Sequence, residues 1–312
     1  MGTPCARRPS APPRTARLAR RRAVQATAKG QVPVLVNSCA GKMGHAVAEA
    51  VVESGNLLLP YSVAGADAAD DIVNCAGVPI QLVAPEEARG LMKRLMEENP
   101  GLIAVDYTVP ACVNANAELY CDLGLPFVMG TTGGDRAALV ETVRASKNPA
   151  VIAPQMGKQV VAMQAMLRRT AEQFPGAFDG YTLTVVESHQ QTKLDTSGTA
   201  KAIVESFRAL GVKAFADDDI ERVRNPNESV DRMGVPEDFL DGHAYHTYRL
   251  VSPDGTVAFE WRHNVNGRAI YAQGTVDAVL FLHNKVYGGG SGAADGGGLY
   301  DMIDVLEAGV MR

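Results

Sequence analysis

Residues 32–51 read VPVLVNSCAGKMGHAVAEAV, and the succession of residue types in this stretch decides the architecture. Residues 32–36 are apolar and rich in valine, the composition of a buried strand. Residues 37–44 are small and polar. Met43, Val47, Ala50 and Val51 then recur at helical spacing, and Gly55 ends the helix. A strand that passes through a Gly-containing turn into a helix is where a dinucleotide pyrophosphate is held. Glycine lets the backbone approach the phosphates, and the helix N-terminus offers unpaired N–H groups. The spacing here is S-x-x-G-x-x-G (Ser38, Gly41, Gly44) rather than G-x-G-x-x-G.

The same alternation continues outward. Apolar runs at 57–64, 79–83, 102–107, 126–129 and 151–153 read as strands. Helical patterns lie between them. One opens at Pro85-Glu86-Glu87, where proline and acids suit a first turn, one follows Pro110 and one starts at Asp135. Strand-helix alternation of this length predicts an α/β fold with a parallel, doubly wound sheet. After Pro154 the pattern changes. A long amphipathic helix is expected at 158–174, a strand at 181–187 and a helix at 199–210. Strands at 245–251 and 256–263 are joined by the turn Ser252-Pro253-Asp254-Gly255. Val257, Phe259 and Trp261 alternate with polar or small residues, so one face of that strand is expected to be wet. Residues 274–287 and 299–306 look helical and flank a Gly-rich loop. The expected division is a nucleotide-binding domain at 31–154, an α+β domain at 155–273 and C-terminal helices at 274–312.

Composition narrows the function. Of 312 residues, 46% are apolar and 21% charged, which is ordinary for a globular chain. No apolar run is long enough to cross a membrane as a helix. The net charge of −5 is unevenly spread. Residues 1–30 hold seven Arg, one Lys, seven Ala, four Pro and no acid, and the first acid of the chain is Glu49. With no apolar core of 7–15 residues, this segment is no secretory signal; it reads as a disordered organellar transit peptide, with a mitochondrial address open because Ser10 is its only serine. The remainder carries 22 basic against 35 acidic side chains, a poor match to a phosphate backbone, so nucleic acid is not an expected partner. Cysteines at 5, 39, 75, 112 and 121 form no C-x-x-C pair, so neither a metal cluster nor a disulfide framework is expected.

Three stretches carry the chemistry. The first is the phosphate turn. The strand at 57–64 ends without a well-placed acid for a ribose 2′-hydroxyl, Asp67 lying slightly late, while Lys42 can meet a 2′-phosphate; this favours NADPH over NADH. The second, Gly130-Thr131-Thr132-Gly133-Gly134, follows a strand at the carboxyl edge of the sheet, where ligands bind in such folds, though it also reads as a plain turn. The third is residues 187–201, ESHQQTKLDTSGTAK, a polar loop between a strand and a helix. His189 can donate a proton near neutral pH and Lys193 is a cation for a carboxylate. Ser197-Gly198-Thr199 at a helix N-terminus form an anion cradle of backbone N–H groups. His243 and His246, three apart in a strand, point to opposite faces, which argues against a joint metal site; His45 and His283 lie in helical patterns as surface or packing residues.

These motifs together resemble the dihydrodipicolinate reductase family, in its plant and algal chloroplast form. The resemblance spans residues 32–308. It is carried by VNSCAGKMG at 36–44, VDYTVP at 105–110, MGTTGG at 129–134, APQMGKQVV at 153–161, ESHQQTKLDTSGTAKA at 187–202 and GLYDMIDVL at 298–306. It implies a Rossmann-type domain, a mixed-sheet domain that binds substrate and builds a homo-oligomer, and a C-terminal segment returning to the first domain. It implies NAD(P)H, a cyclic dicarboxylate substrate and a step of lysine synthesis through diaminopimelate in the chloroplast stroma. By resemblance His189 is the proton donor and Lys193 the second catalytic cation, with Gln190, Ser197, Gly198 and Thr199 on the substrate. Ser38, Cys39, Ala40, Gly41, Lys42 and Met43 hold the pyrophosphate side of the cofactor; Gly130, Thr131 and Thr132, with Ala153, Pro154, Gln155 and Met156, lie near the nicotinamide. No metal is implied. The sequence departs from the family where Ser38 replaces the first fingerprint glycine, so that turn either avoids positive φ or strains the serine. The bacterial double histidine is His189-Gln190, and the loop from Lys193 to Ser197 is one residue shorter than in bacteria, as in the plant type. Another two-domain amino-acid dehydrogenase and a non-catalytic NADPH-sensing protein stand as the rival readings.

Overall fold

The computed structural model describes residues 30–131, 133–288 and 298–309. The basic segment 1–29 and Thr132 therefore lie outside the described residues. The apolar run at the start of the chain forms β1 (Pro33–Asn37), buried along its whole length. The turn after it leads into α1 (Lys42–Glu53). Strands β2 (Leu57–Leu58) and β3 (Tyr61–Val63) follow, so the single run expected at 57–64 is divided, with Pro60 between the two. Proline removes a ladder N–H and limits its neighbour, which is why the run breaks there. β4 (Ile72–Cys75) and β5 (Val78–Val83) join β3 in a small three-stranded sheet.

The chain then alternates as expected: α2 (Ala88–Glu98), β6 (Ile103–Asp106), α3 (Val113–Leu123), β7 (Phe127–Met129), α4 (Arg136–Ser146) and β8 (Ala150–Ile152). Asp135 caps α4 by accepting from the Ala138 N–H at 3.0 Å. The main sheet has the order β13-β8-β7-β6-β1-β2, and its neighbouring strands pair in parallel. Its outermost member β13 (Leu299–Tyr300) comes from the far end of the chain and pairs with β8. A wholly helical 299–306 is thus corrected: only α9 (Met302–Glu307) is helical, started by the Asp301 capping box. Apolar cores line both faces of this sheet, one against α1 and α8 (Ala269–Tyr287), the other against α2, α3 and α4. Burial on both faces explains why the strands read as continuous apolar runs.

The second sheet has the order β10-β9-β11-β12, built from β9 (Thr182–His189), β10 (Glu221–Val223), β11 (His243–Val251) and β12 (Ala258–Asn266). β10 runs parallel to β9, whereas β11 is antiparallel to both β9 and β12, so the sheet is mixed. α5 (Lys158–Gln173) and α6 (Gly198–Ala209) cover one face around Phe207 and Tyr248; α7 (Pro226–Asp231) follows β10. β12 is an edge strand, and Val257 just before it and Phe259 within it stay 41% exposed, so its apolar positions are only partly covered. α8 starts at Ala269, five residues before the expected 274, and packs on the segment joining the two sheets. A Cβ on Gly274 would sit 1.7 Å from the Met156 carbonyl, so that position admits only glycine at this approach. The Lys158 ammonium lies 2.8 Å from the buried Asp277 carboxylate, tying α5 to α8. No described helix is long and apolar enough to cross a membrane.

Candidate active site

The phosphate turn is built on strain and close approach. Ser38 adopts φ 67°, so the turn keeps the left-handed conformation and the serine bears it. Ser38 donates its N–H to the Val63 carbonyl, Cys39 donates to Ser62 Oγ, and Gly41 closes the turn by donating to the Ser38 carbonyl at 2.9 Å. The N–H groups of Ala40, Lys42, Met43 and Gly44 have no partner among the described residues. α1 begins with no side-chain cap and no acid in its first turn. A Cβ on Gly44 would lie 2.1 Å from the Ser38 carbonyl, so the turn rests directly on the helix. Free N–H groups converging at an uncapped helix start suit a pyrophosphate. Cys39 takes no side-chain part: it is fully buried, with its thiol on the Val36 carbonyl at 3.2 Å. Lys42 is exposed, and Asp67 lies exposed in a short turn after β3.

Below this turn, Asp106 at the end of β6 is fully buried and accepts from Tyr120 Oη (2.6 Å), Asn116 Nδ2 (2.9 Å) and the Thr108 N–H and Oγ1. Asn37 donates to the same Tyr120 oxygen. This network sets the backbone of Tyr107 and Thr108. Tyr107 lies flat against Gly130, where a Cβ would be 2.4 Å from the ring, and its hydroxyl meets Thr275 Oγ1 at 2.6 Å. Thr131 donates to the Thr108 carbonyl at 2.9 Å. The 130–131 turn and the carboxyl ends of β6 and β7 thus form one edge.

The second sheet meets that edge through Gln155. Its Nε2 donates to Thr199 Oγ1 at 3.1 Å, and its Oε1 accepts from the Gly157 N–H. Ala153 and Met156 are buried beside it, while Pro154 is exposed. At the start of α6 the Ser197 N–H points back to the buried Glu187 carboxylate at 3.0 Å. The N–H groups of Gly198, Thr199 and Ala200 have no partner among the described residues, and α6 has neither a side-chain cap nor an acid in its first turn. Glu187 is also bound by Arg224 Nη2 at 2.5 Å. Sequence reasoning missed Arg224: it lies 37 residues away and no local motif marks it. Its guanidinium also binds the carbonyls of Lys193 (2.7 Å) and Asp195 (3.1 Å), and so shapes the loop.

β9 runs on to His189 rather than ending at Glu187, so the histidine is a strand residue, 8% exposed. Its Nε2 lies 3.0 Å from His246 Nε2 on β11. The opposite-face expectation for His243 and His246 holds: His243 Nε2 pairs with Ser188 Oγ at 2.8 Å while His246 meets His189. Burial, then the positive charges of Arg224 and Lys193, push His189 down to about 3, so it is neutral near pH 7. Lys193 does not point into open space. Its ammonium binds both oxygens of Asp195 at 2.8 and 2.9 Å, which holds that carboxyl below its usual range. Gln190 makes a turn through its carbonyl with the Lys193 N–H. Ligand atoms of Glu187, His189 and His246 lie within 4.8 Å of one another. Arg224 already neutralises Glu187 and the two rings bind each other, a poor arrangement for a cation.

A phosphate turn on a parallel sheet, linked through Gln155 to a mixed sheet bearing a buried histidine, a lysine and an uncapped helix start, defines a two-domain, dinucleotide-dependent oxidoreductase. Residues 32–156 match the model described as dihydrodipicolinate reductase, N-terminus, and residues 159–306 match dihydrodipicolinate reductase, C-terminus. The chain belongs to the dihydrodipicolinate reductase family and carries its NAD(P)-binding domain. It is 55% identical over 284 residues to the probable 4-hydroxy-tetrahydrodipicolinate reductase 1, chloroplastic, of Oryza sativa subsp. japonica, covering 91% of this chain and 81% of that one. It is 52% identical to the chloroplastic 4-hydroxy-tetrahydrodipicolinate reductase 1 of Arabidopsis thaliana, over 90% of this chain and 79% of the relative. The fold matches a dipicolinate-bound dihydrodipicolinate reductase from Paenisporosarcina sp. TG-14 with a TM-score of 0.59 at 19% identity, over 81% of this chain and 95% of that one. Family membership sets aside the rival of a different two-domain dehydrogenase.

Proposed function

We propose that this chain reduces 4-hydroxy-tetrahydrodipicolinate to tetrahydrodipicolinate with NADPH, on the diaminopimelate route to lysine, in the chloroplast stroma. The observation that carries this reading is the Gln155–Thr199 hydrogen bond, which sets the anion cradle of α6 beside the nucleotide edge. A ring carboxylate fits the Gly198 and Thr199 N–H groups, with Gln190 and Lys193 beside it. Ser38 to Met43 take the pyrophosphate, and Gly130, Thr131, Thr132 and the 153–156 segment flank the nicotinamide. The bound cofactor supplies the hydride. His189 starts neutral among cations; a dicarboxylate adds the opposite charge, raises its pKa and makes it a proton donor as electrons arrive. The functional division is 31–154 for the cofactor, 155–273 for substrate and assembly, and 274–312 returning to the first sheet. Assembly as a homo-oligomer, dimer or tetramer, is supported by the half-covered edge strand β12. Residues 1–30 act as the transit peptide.

The test is a coupled assay in which the preceding synthase makes the unstable substrate in place. Oxidation of NADPH on adding synthase product is expected, undiminished when residues 1–30 are removed. Cofactor binding without turnover would leave the sensing-protein reading instead. Light scattering reads the assembly.

A further inference from the structure

His189, Glu187, His246, Tyr248 and His263 share one face of the mixed sheet, because the register sets Glu187, His246 and His263 on one rung and strand residues two apart share a side. Two neutral rings in Nε2–Nε2 contact can share only one proton there. Which ring carries it follows from the rest of the chain of contacts. His246 Nδ1 lies 2.8 Å from Tyr248 Oη. Tyr248 is fully buried, and among the described residues its hydroxyl has no other hydrogen-bond partner. A buried O–H left without an acceptor is costly, so it donates to His246 Nδ1. Nδ1 of His246 is therefore bare, its proton sits on Nε2, and that N–H donates to His189 Nε2.

The other side of His189 agrees. Burial and the nearby cations lower its pKa, and against them the backbone of His243 acts upward, the direction of a carbonyl accepting a ring N–H. With Nε2 committed to His246, that N–H is on Nδ1. Burial keeps the rings neutral, and the charges of Arg224 and Lys193 and, from the other face of the sheet, His243 act on His189 in the same direction as His263, His189, Arg224 and Lys193 act on His246.

We propose that His246, anchored by Tyr248, is the positioning residue that fixes the tautomer of His189: it closes Nε2 and leaves Nδ1–H as the only proton-bearing nitrogen of that ring. This rests on the reading of His189 as the proton donor. It adds that the resting ring keeps its single proton on Nδ1, so the second proton that makes the ring an imidazolium donor has to be taken up at Nε2, where the His246 N–H opposes it. A histidine held as the wrong tautomer loses much of its catalytic effect even with its position intact.

Long-range ¹H–¹⁵N spectra of the full chain read the ring tautomers without any need for turnover. Wild type is expected to show His189 as Nδ1–H and His246 as Nε2–H. Tyr248→Phe removes the donor that biases His246, so both signals should move toward the other tautomer and kcat should fall with KM nearly unchanged. His246→Phe should lower kcat by about 10²-fold and shift the alkaline limb of the pH profile upward, since the N–H opposing protonation of His189 is gone. His246→Gln, whose amide can both donate to His189 and accept from Tyr248, should restore most of that loss. His189 found as Nε2–H, or unmoved tautomers in Tyr248→Phe, would overturn the proposal. So would His246→Gln doing no better than His246→Phe. If His246→Phe does not fold, the Tyr248→Phe spectrum decides. Full turnover in His189→Ala would instead remove the proton-donor reading and leave the tautomer assignment standing.

Discussion

Lys193 gives its ammonium to both carboxylate oxygens of Asp195, two residues along the same loop. Asp195 is thus placed where a substrate carboxylate would compete for the same cation. Its side chain is 76% exposed, so the pair is worth only about 0–1 kcal/mol. Asp195→Asn should lower KM for the dicarboxylate by up to about five-fold and leave kcat alone. A higher KM in steady-state assays would mean that Asp195 orients Lys193 rather than competing for it. Lys193→Ala should cost turnover at least as much as His189→Ala, for which a loss of about 10²–10⁴-fold is expected.

Ser38 holds φ 67° where a glycine would rest without strain. Ser38→Gly should gain about 0.5–1 kcal/mol of stability and tighten cofactor binding. Calorimetry and cofactor titration check both; an unchanged dissociation constant would mean that the turn is relaxed with serine. Gly44→Ala should do the reverse, since its Cβ would meet the Ser38 carbonyl at 2.1 Å and push the turn off the helix start.

Cofactor choice turns on Lys42, exposed at the first position of α1, against Asp67, exposed after β3. NADPH should be preferred by no more than about five-fold, the worth of one exposed ion pair. Lys42→Ala should remove most of that preference and leave NADH kinetics nearly unchanged. Comparing kcat/KM for the two cofactors decides it, and equal weakening of both would show that Lys42 serves the pyrophosphate instead.

Acid should destabilise the fold through its histidines. In the unfolded chain a histidine takes its proton near pH 6.5, whereas buried His189 takes it only at about 3. Between those values the unfolded state binds more protons, so stability falls as pH falls. The slope approaches about 1.4 kcal/mol per pH unit for such a group. Melting temperature should therefore drop between pH 6.5 and 5, above the range in which most carboxylates titrate. His189→Gln should show a shallower drop over the same interval.

The residue pattern by itself determined the alternating α/β order, the phosphate turn, the Asp135 cap and the loop that sets His189, Lys193 and Ser197–Thr199 within eleven positions. These are local matters: apolar period, glycine placement and capping chemistry act over a few residues. For Ser38 the sequence left two outcomes open, a turn without positive φ or a strained serine, and the tertiary structure decided for the second with φ 67°. Tertiary structure alone decided the rest. The split at Pro60 and the strand at 299–300 depend on which edge is left to pair. Arg224 reaches Glu187, and Gln155 reaches Thr199, across separations of 37 and 44 residues that no spacing rule spans. The sequence placed His243 and His246 on opposite faces, yet only strand register shows which of them meets His189. Register depends on how two buried faces pack against one another, and a one-residue slip would have exchanged the partners.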